Sequence, residues 1–135
     1  MLITRLLAFT VASMISLAAY SQQMYDRTGS PIGRYDHGRI YNRYGSYEGR
    51  VDSNRFYDRA GSYLGCTRDD KFYDRSGSYI GYCKDDKYYD KSGTYIGSIR
   101  NGCVYNRTGS IIGAFSNIPY NIAGIVFLYG FYLLR

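Results

Sequence analysis

Tyr73-Asp74-Arg75-Ser76-Gly77-Ser78-Tyr79-Ile80-Gly81 is the stretch on which the reading of this chain turns. Close copies begin at Tyr25, Tyr41, Tyr57, Tyr89 and Tyr105. The step is 16 residues each time, so the chain divides into six units: 25–40, 41–56, 57–72, 73–88, 89–104 and 105–120. Repetition within one chain supplies its own comparison. Position 1 is Tyr in every unit, and position 2 is Asp or Asn. Position 5 is Gly throughout (Gly29, Gly45, Gly61, Gly77, Gly93, Gly109), and so is position 9 (Gly33, Gly49, Gly65, Gly81, Gly97, Gly113).

These constants predict two turns per unit. Asp or Asn at position 2 can accept a backbone hydrogen bond, and Gly at position 5 tolerates positive φ. Together they match a type I turn followed by a G1 bulge. A tight two-residue turn is expected at positions 13 and 14: His37-Gly38, Ser53-Asn54, Asp69-Asp70, Asp85-Asp86 and Asn101-Gly102. Each unit then reads as two short antiparallel strands, and the chain as an all-β meander of hairpins. The first turn should pair position 1 with position 7, giving Tyr57–Tyr63, Tyr73–Tyr79 and Tyr89–Tyr95. It should also set position 16 against position 8, as Phe72 against Ile80 and Tyr88 against Ile96. The second turn should pair position 16 with position 11, as Phe56 with Val51 and Val104 with Ile99. Strand faces alternate, so positions 8 and 11 cannot both face position 16 without one residue being absorbed between them. The expected place is position 9, with kinks at Gly65, Gly81 and Gly97. The rival reason for Gly there is room for a ring. Two arrangements suit such hairpins: a stacked solenoid, or a radial, flower-like ring. Pro31 and Glu48 break the pattern in the first two units, which suggests an atypical capping end.

The two ends differ from the repeats. Met1–Tyr20 has the form of a secretory signal: Arg5, an apolar run from Leu6 to Ala19, and small residues Ala19 and Ser21 before a cut. Residues 1–21 are therefore set apart from a single repeat domain over 22–135 that works outside the cytoplasm. The tail, 121–135, is almost wholly apolar. Its Ile, Val, Phe and Tyr content favours a buried strand region, shared in a homo-oligomer through residues 120–134. A membrane-contacting segment and an exposed docking strand are the competing readings.

Composition excludes several functions. The chain carries 17 basic and 11 acidic residues, a net charge of +6, but no uninterrupted basic tract, which argues against nucleic acid. Cys66, Cys83 and Cys103 are odd in number and out of register with the repeat, so no disulfide set or metal set is read from them. His37 stands alone, and no catalytic, cofactor or metal constellation is recognisable. Asp69-Asp70 and Asp85-Asp86 read as solvated turns, since a calcium site needs more oxygens and nearby basic residues compete. The tyrosines Tyr57, Tyr63, Tyr73, Tyr79, Tyr89 and Tyr95 have two readings. They are either the core of a repeat poor in aliphatics or an exposed ladder that stacks on sugar rings.

The pattern Y-D-R-x-G-S-Y-I-G-x-x-x-D-D-K-x resembles the bacterial secreted beta-flower proteins. Tyr73–Ile80 and Tyr89–Ile96 carry the resemblance best, and Tyr57–Leu64 follows with Leu64 in place of Ile. It covers about residues 25–134. The resemblance implies a hairpin-repeat fold and brings no catalytic residues with it. The expected function is that of a secreted or periplasmic, non-enzymatic structural or interaction protein of the bacterial envelope. A carbohydrate- or wall-binding module built on the tyrosine ladder, and a surface protein anchored by its tail, are the alternatives.

Overall fold

The computed structural model describes residues 22–132 and 134; the expected signal segment lies outside them. Six hairpins follow in chain order: β1 (Gln23–Asp26) with β2 (Pro31–Asp36), β3 (Arg39–Asn42) with β4 (Tyr47–Asp52), β5 (Arg55–Asp58) with β6 (Tyr63–Arg68), β7 (Lys71–Asp74) with β8 (Tyr79–Lys84), β9 (Lys87–Asp90) with β10 (Tyr95–Arg100), and β11 (Cys103–Asn106) with β12 (Ile111–Phe115). One helix, α1 (Tyr120–Phe127), comes after them. Each strand pairs with its neighbours in sequence, and β1 pairs with β12 to close a barrel. The closing register, Met24↔Phe115 and Tyr25↔Ala114, repeats the one between units, Phe56↔Val51 and Tyr57↔Arg50. The ring is therefore radial, not a solenoid. It has no capping end: the unit containing Pro31 is paired on both sides like the others. Closure removes the exposed strand edges that an open meander would carry.

Both turns follow from the side chains that build them. In the fourth unit, Asp74 Oδ1 accepts from the N–H groups of Ser76 and Ser78, each at 3.0 Å, and the Gly77 N–H donates to Asp74 O at 3.0 Å. Asn42 and Asn106 do the same work with an amide oxygen. At positions 13 and 14 both residues have positive φ, for example Asp85 at 51° and Asp86 at 66°. This is the type I′ geometry that matches strand twist. In the sixth unit Asn117 keeps a φ of 54°, but the chain leaves the sheet there.

The register confirms the Tyr pairs and corrects one expectation. Tyr57↔Tyr63, Tyr73↔Tyr79 and Tyr89↔Tyr95 face each other, as do Val51↔Phe56 and Ile99↔Val104. Phe72, however, faces Gly81, and Tyr88 faces Gly97. The absorbed residue is therefore at position 8, Ile80 or Ile96, and not at the glycine. With the bulge one residue earlier, position 9 points inward with positions 11 and 16.

The core has three inward rings. Position 16 supplies Met24, Ile40, Phe56, Phe72, Tyr88 and Val104, all at most 1 % exposed. Position 11 supplies Ile99, Phe115 and Thr67 among others, and position 9 supplies the glycines. The remaining space is filled by α1, whose Ile122, Ala123, Gly124, Ile125 and Val126 are buried. The expected C-terminal strand is thus a helix over Tyr120–Phe127, followed by irregular chain through residue 132. Inside a barrel whose strands are all paired no edge is free, so an enclosed segment must satisfy its own N–H and C=O groups. That requirement overrides the strand propensity of its side chains. No helix among the described residues is long and apolar enough to cross a membrane.

Two close approaches explain position 9: the carbonyl of a neighbouring strand, at 2.1–2.9 Å from an ideal Cβ, and a side chain of the tail. An ideal Cβ on Gly113 would meet Phe127, and one on Gly97 would meet Leu128. Gly81 is covered by Tyr129, Gly65 by Phe131, Gly49 by Tyr132 and Gly33 by Leu134. Six glycines on successive hairpins thus each receive one tail side chain, in ring order, as the tail winds once around the barrel. The room-making reading of position 9 is the correct one. A sharp contrast follows. At Gly65 a Cβ would sit 2.2 Å from Tyr73 O and 2.6 Å from Phe131, whereas at Gly77 it would meet nothing within 4 Å. Gly65→Ala is expected to cost more than about 3 kcal/mol, because both backbone and tail must shift. Gly77→Ala should cost only about 1–2 kcal/mol, the penalty of a Cβ at its φ of 83°. Urea unfolding of the two variants measures the difference, and equal losses would contradict the slot.

Candidate functional site

The tyrosines at positions 1 and 7 alternate with the inward rings, so they lie on the outer face. They are partly buried, and Tyr79 reaches 36 % exposure. They are not the barrel's core. Nor do they form a flat ladder: Tyr57–Tyr63, Tyr73–Tyr79 and Tyr89–Tyr95 meet edge to face, with centroids 5.8, 6.1 and 5.9 Å apart and planes 62–63° apart. With Tyr41–Tyr47, which meet in the same way, four consecutive hairpins therefore present an aromatic corner; Pro31 and Ile111 take the second ring's place in the first and sixth units.

What covers the next corner depends on positions 10 and 12. In the first two units position 10 is Arg and position 12 is Asp. Arg34 lies 4.0 Å over the Tyr41 ring and 3.4 Å from Asp36; Arg50 lies 4.0 Å over Tyr57 and 3.7 Å from Asp52. In the fourth unit Tyr82 stacks on Tyr89 at 4.7 Å. The third and fifth units reverse the arrangement, with a small residue at position 10 (Cys66, Ser98) and Arg at position 12. Arg68 reaches to 4.6 Å from the Tyr73 ring and Arg100 to 5.0 Å from Tyr105. Neither belongs to an ion pair among the described residues.

Clefts open between hairpins where these groups meet. In the third unit the cleft measures about 550 Å³ and is walled by Arg55, Tyr57, Tyr63, Arg68 and Tyr73 over Cys66. No carboxylate lines it. A cleft of about 230 Å³ in the fifth unit includes Asp85 and Asp86, and one of about 360 Å³ in the second includes Arg39 and the tethered Arg50. The Cys66 thiol beside the Tyr63 hydroxyl holds that phenol above its ordinary value.

A family model described as 5-fold beta-flower protein matches residues 21–132. The chain belongs to this family. No curated protein and no solved structure matches it. In this beta-flower ring the bulged turn occurs six times and the type I′ turn five times, the sixth such junction being where the chain enters and leaves the sheet.

The remaining candidates fall away from this surface. His37 is an exposed turn residue whose Nδ1 meets Asp36 Oδ1 at 2.5 Å. Asp69-Asp70 and Asp85-Asp86 sit at turn tips, and no group of ligands that could hold a metal occurs among the described residues. Cys66, Cys83 and Cys103 are free thiols on three different strands. The six tyrosines that the repeat singles out are all on the outer face. Arg55, Arg68 and Arg100, which line the clefts beside them, lie at positions that vary between units, so an eye fixed on constant positions passes over them.

Proposed function

We propose that this beta-flower protein is a secreted, non-enzymatic binding module of the bacterial envelope that holds glycan on its outer face. The observation that carries the reading is the division of the molecule. Its interior is taken up by its own helix and tail, while the outer face repeats an aromatic corner flanked by guanidinium groups. Aromatic faces favour sugar rings, and arginine forks supply planar hydrogen-bond donors. The clefts are open; no carboxylate lines the third-unit cleft, and Asp85 and Asp86 in the fifth-unit cleft stand beside Lys87 and Arg100, which suits retention and not turnover. Anchoring or oligomerisation through residues 120–134 gains no support from a tail whose side chains are seated in six slots of the same chain.

The test is retention of residues 22–135 in gels containing dextran, polygalacturonate or dextran sulfate. The unaltered protein should be retarded by at least one of them. Tyr63→Ala combined with Tyr95→Ala should remove most of the retardation without changing the sheet's circular dichroism. Free migration through all three polymers would end the glycan reading.

A further inference from the structure

The third-unit cleft differs from its relatives in a way that names a ligand class. We infer that it is a subsite for an acidic sugar, whose ring sits against the Tyr57–Tyr63 corner and whose carboxylate or sulfate is held by Arg55 and Arg68. The inference rests on the glycan-binding reading above and adds its charge and its place.

Three observations carry it. First, position 10 here is Cys66, so the volume that an arginine or a tyrosine occupies in the first, second and fourth units is open. Second, where the repeat places Asp36 and Asp52 to tether that arginine, the third unit has Arg68. The exchange removes the internal anion and adds a cation at the same rim. Third, Arg55 lines the same cleft, neither guanidinium is ion-paired among the described residues, and no carboxylate lines the walls. Asp69 and Asp70 stand with Arg68 around a neighbouring cleft and do not line this one, so an anion complements the charge of these walls, and two guanidinium forks suit a planar carboxylate or a sulfate. The fifth unit shares the small residue and the arginine, but Asp85 and Asp86 in its walls already offset Arg100 and Lys87. The sixth unit, with Ala114 and Ser116, supplies no cation at these positions.

Isothermal titration with polygalacturonate, dextran sulfate and neutral dextran tests this. At least one acidic polymer should bind the unaltered protein about tenfold tighter than dextran. Arg55→Gln with Arg68→Gln should lose about tenfold on that polymer, the effect of removing charged donors. Arg27→Gln with Arg107→Gln removes the same charge from two exposed turns elsewhere and should change little. Cys66→Tyr decides between cleft and bulk charge. It copies Tyr82, which has a lysine, Lys84, at position 12 and stacks on Tyr89, and it fills the cleft at unchanged charge. A cleft subsite predicts weaker binding, whereas general attraction to a basic surface predicts unchanged binding and would overturn the inference. Equal binding of dextran and the acidic polymers, with the Arg55 and Arg68 changes silent, would overturn it too while leaving the glycan reading intact. No binding to any polymer would remove that reading and the inference with it.

Discussion

Removal of residues 118–135 is expected to leave a chain with no cooperative fold at neutral pH. The chain would keep the residues of every turn and strand, yet the barrel they close would be hollow. Ile122, Ala123, Ile125, Val126 and Tyr132 are at most 7 % exposed, and Phe127, Leu128, Tyr129, Phe131 and Leu134 pack beside them. Burying one large apolar side chain is worth about 1.5–3 kcal/mol, and a domain's whole stability is about 5–15 kcal/mol. The tail's contribution therefore matches or exceeds what the fold has to spare. The glycine ring makes matters worse, because position 9 contributes no side chain that could close over the gap. Far-UV circular dichroism and urea titration of the truncated chain should show a non-cooperative, weakly structured state. Adding a peptide of residues 118–135 should restore a sigmoidal transition, since the slots are defined by the barrel. A truncated chain that still melts cooperatively would show that the hairpin ring is self-sufficient.

That dependence marks the boundary of what the sequence reveals. The 16-residue beat, the Asp and Gly chemistry of the bulged turn and the paired turn residues at positions 13 and 14 are local, and each could be read where it stands. The same holds for Tyr73 against Tyr79. The helix could not be read in this way. Ile125, Val126 and Phe127 have strand propensity, and only the closed sheet around them leaves a helix as the way to satisfy their backbone. The place of the bulge is hidden in the sequence for a related reason. Parity along the strand demands one extra residue, but it does not say whether Ile80 or Gly81 is that residue. The bulge turns the glycine inward, and the side chain that covers it comes from the tail, 40 or more residues away for most units. For the candidate site the lesson runs the other way. Constant positions built the fold, while the clefts depend on positions 10 and 12, where units that share a backbone differ in charge and size. Comparing Arg34 and Asp36 with Cys66 and Arg68 isolates the cleft from sequence alone, once those two columns are known to share a face.

The second large effect concerns alkali. The protein is expected to unfold between about pH 10 and pH 12 under conditions where it is stable at pH 7. Burial raises the phenols of Tyr88, Tyr129 and Tyr132 well above the ordinary tyrosine value. Tyr88 donates to Tyr120 O at 3.1 Å, Tyr129 to Tyr89 O at 2.8 Å, and Tyr132 to Tyr57 O at 2.8 Å. An ionised phenolate could not donate, and it would lie among apolar side chains. In the unfolded chain these groups titrate near about pH 10. Above that value the unfolded state releases protons that the native state keeps, so the free energy of unfolding falls as pH rises. Below it the stabilisation is complete. Each phenol contributes at most about 1.4 kcal/mol per pH unit, and Tyr129, the least buried, contributes the smallest share. Two pH units therefore cost on the order of 6–8 kcal/mol, comparable with the whole stability of a domain. Tyr129→Phe with Tyr132→Phe separates the hydrogen bonds from the titration. At pH 7 the double variant should be less stable by about 1 kcal/mol for each lost donor. At pH 11 that deficit should shrink or reverse, because phenylalanine has no proton to lose in the unfolded state. Urea midpoints at the two pH values measure the crossing. The same deficit at both would mean that the tail hydroxyls ionise in the native barrel, which two phenols donating to strand carbonyls inside a packed ring do not permit.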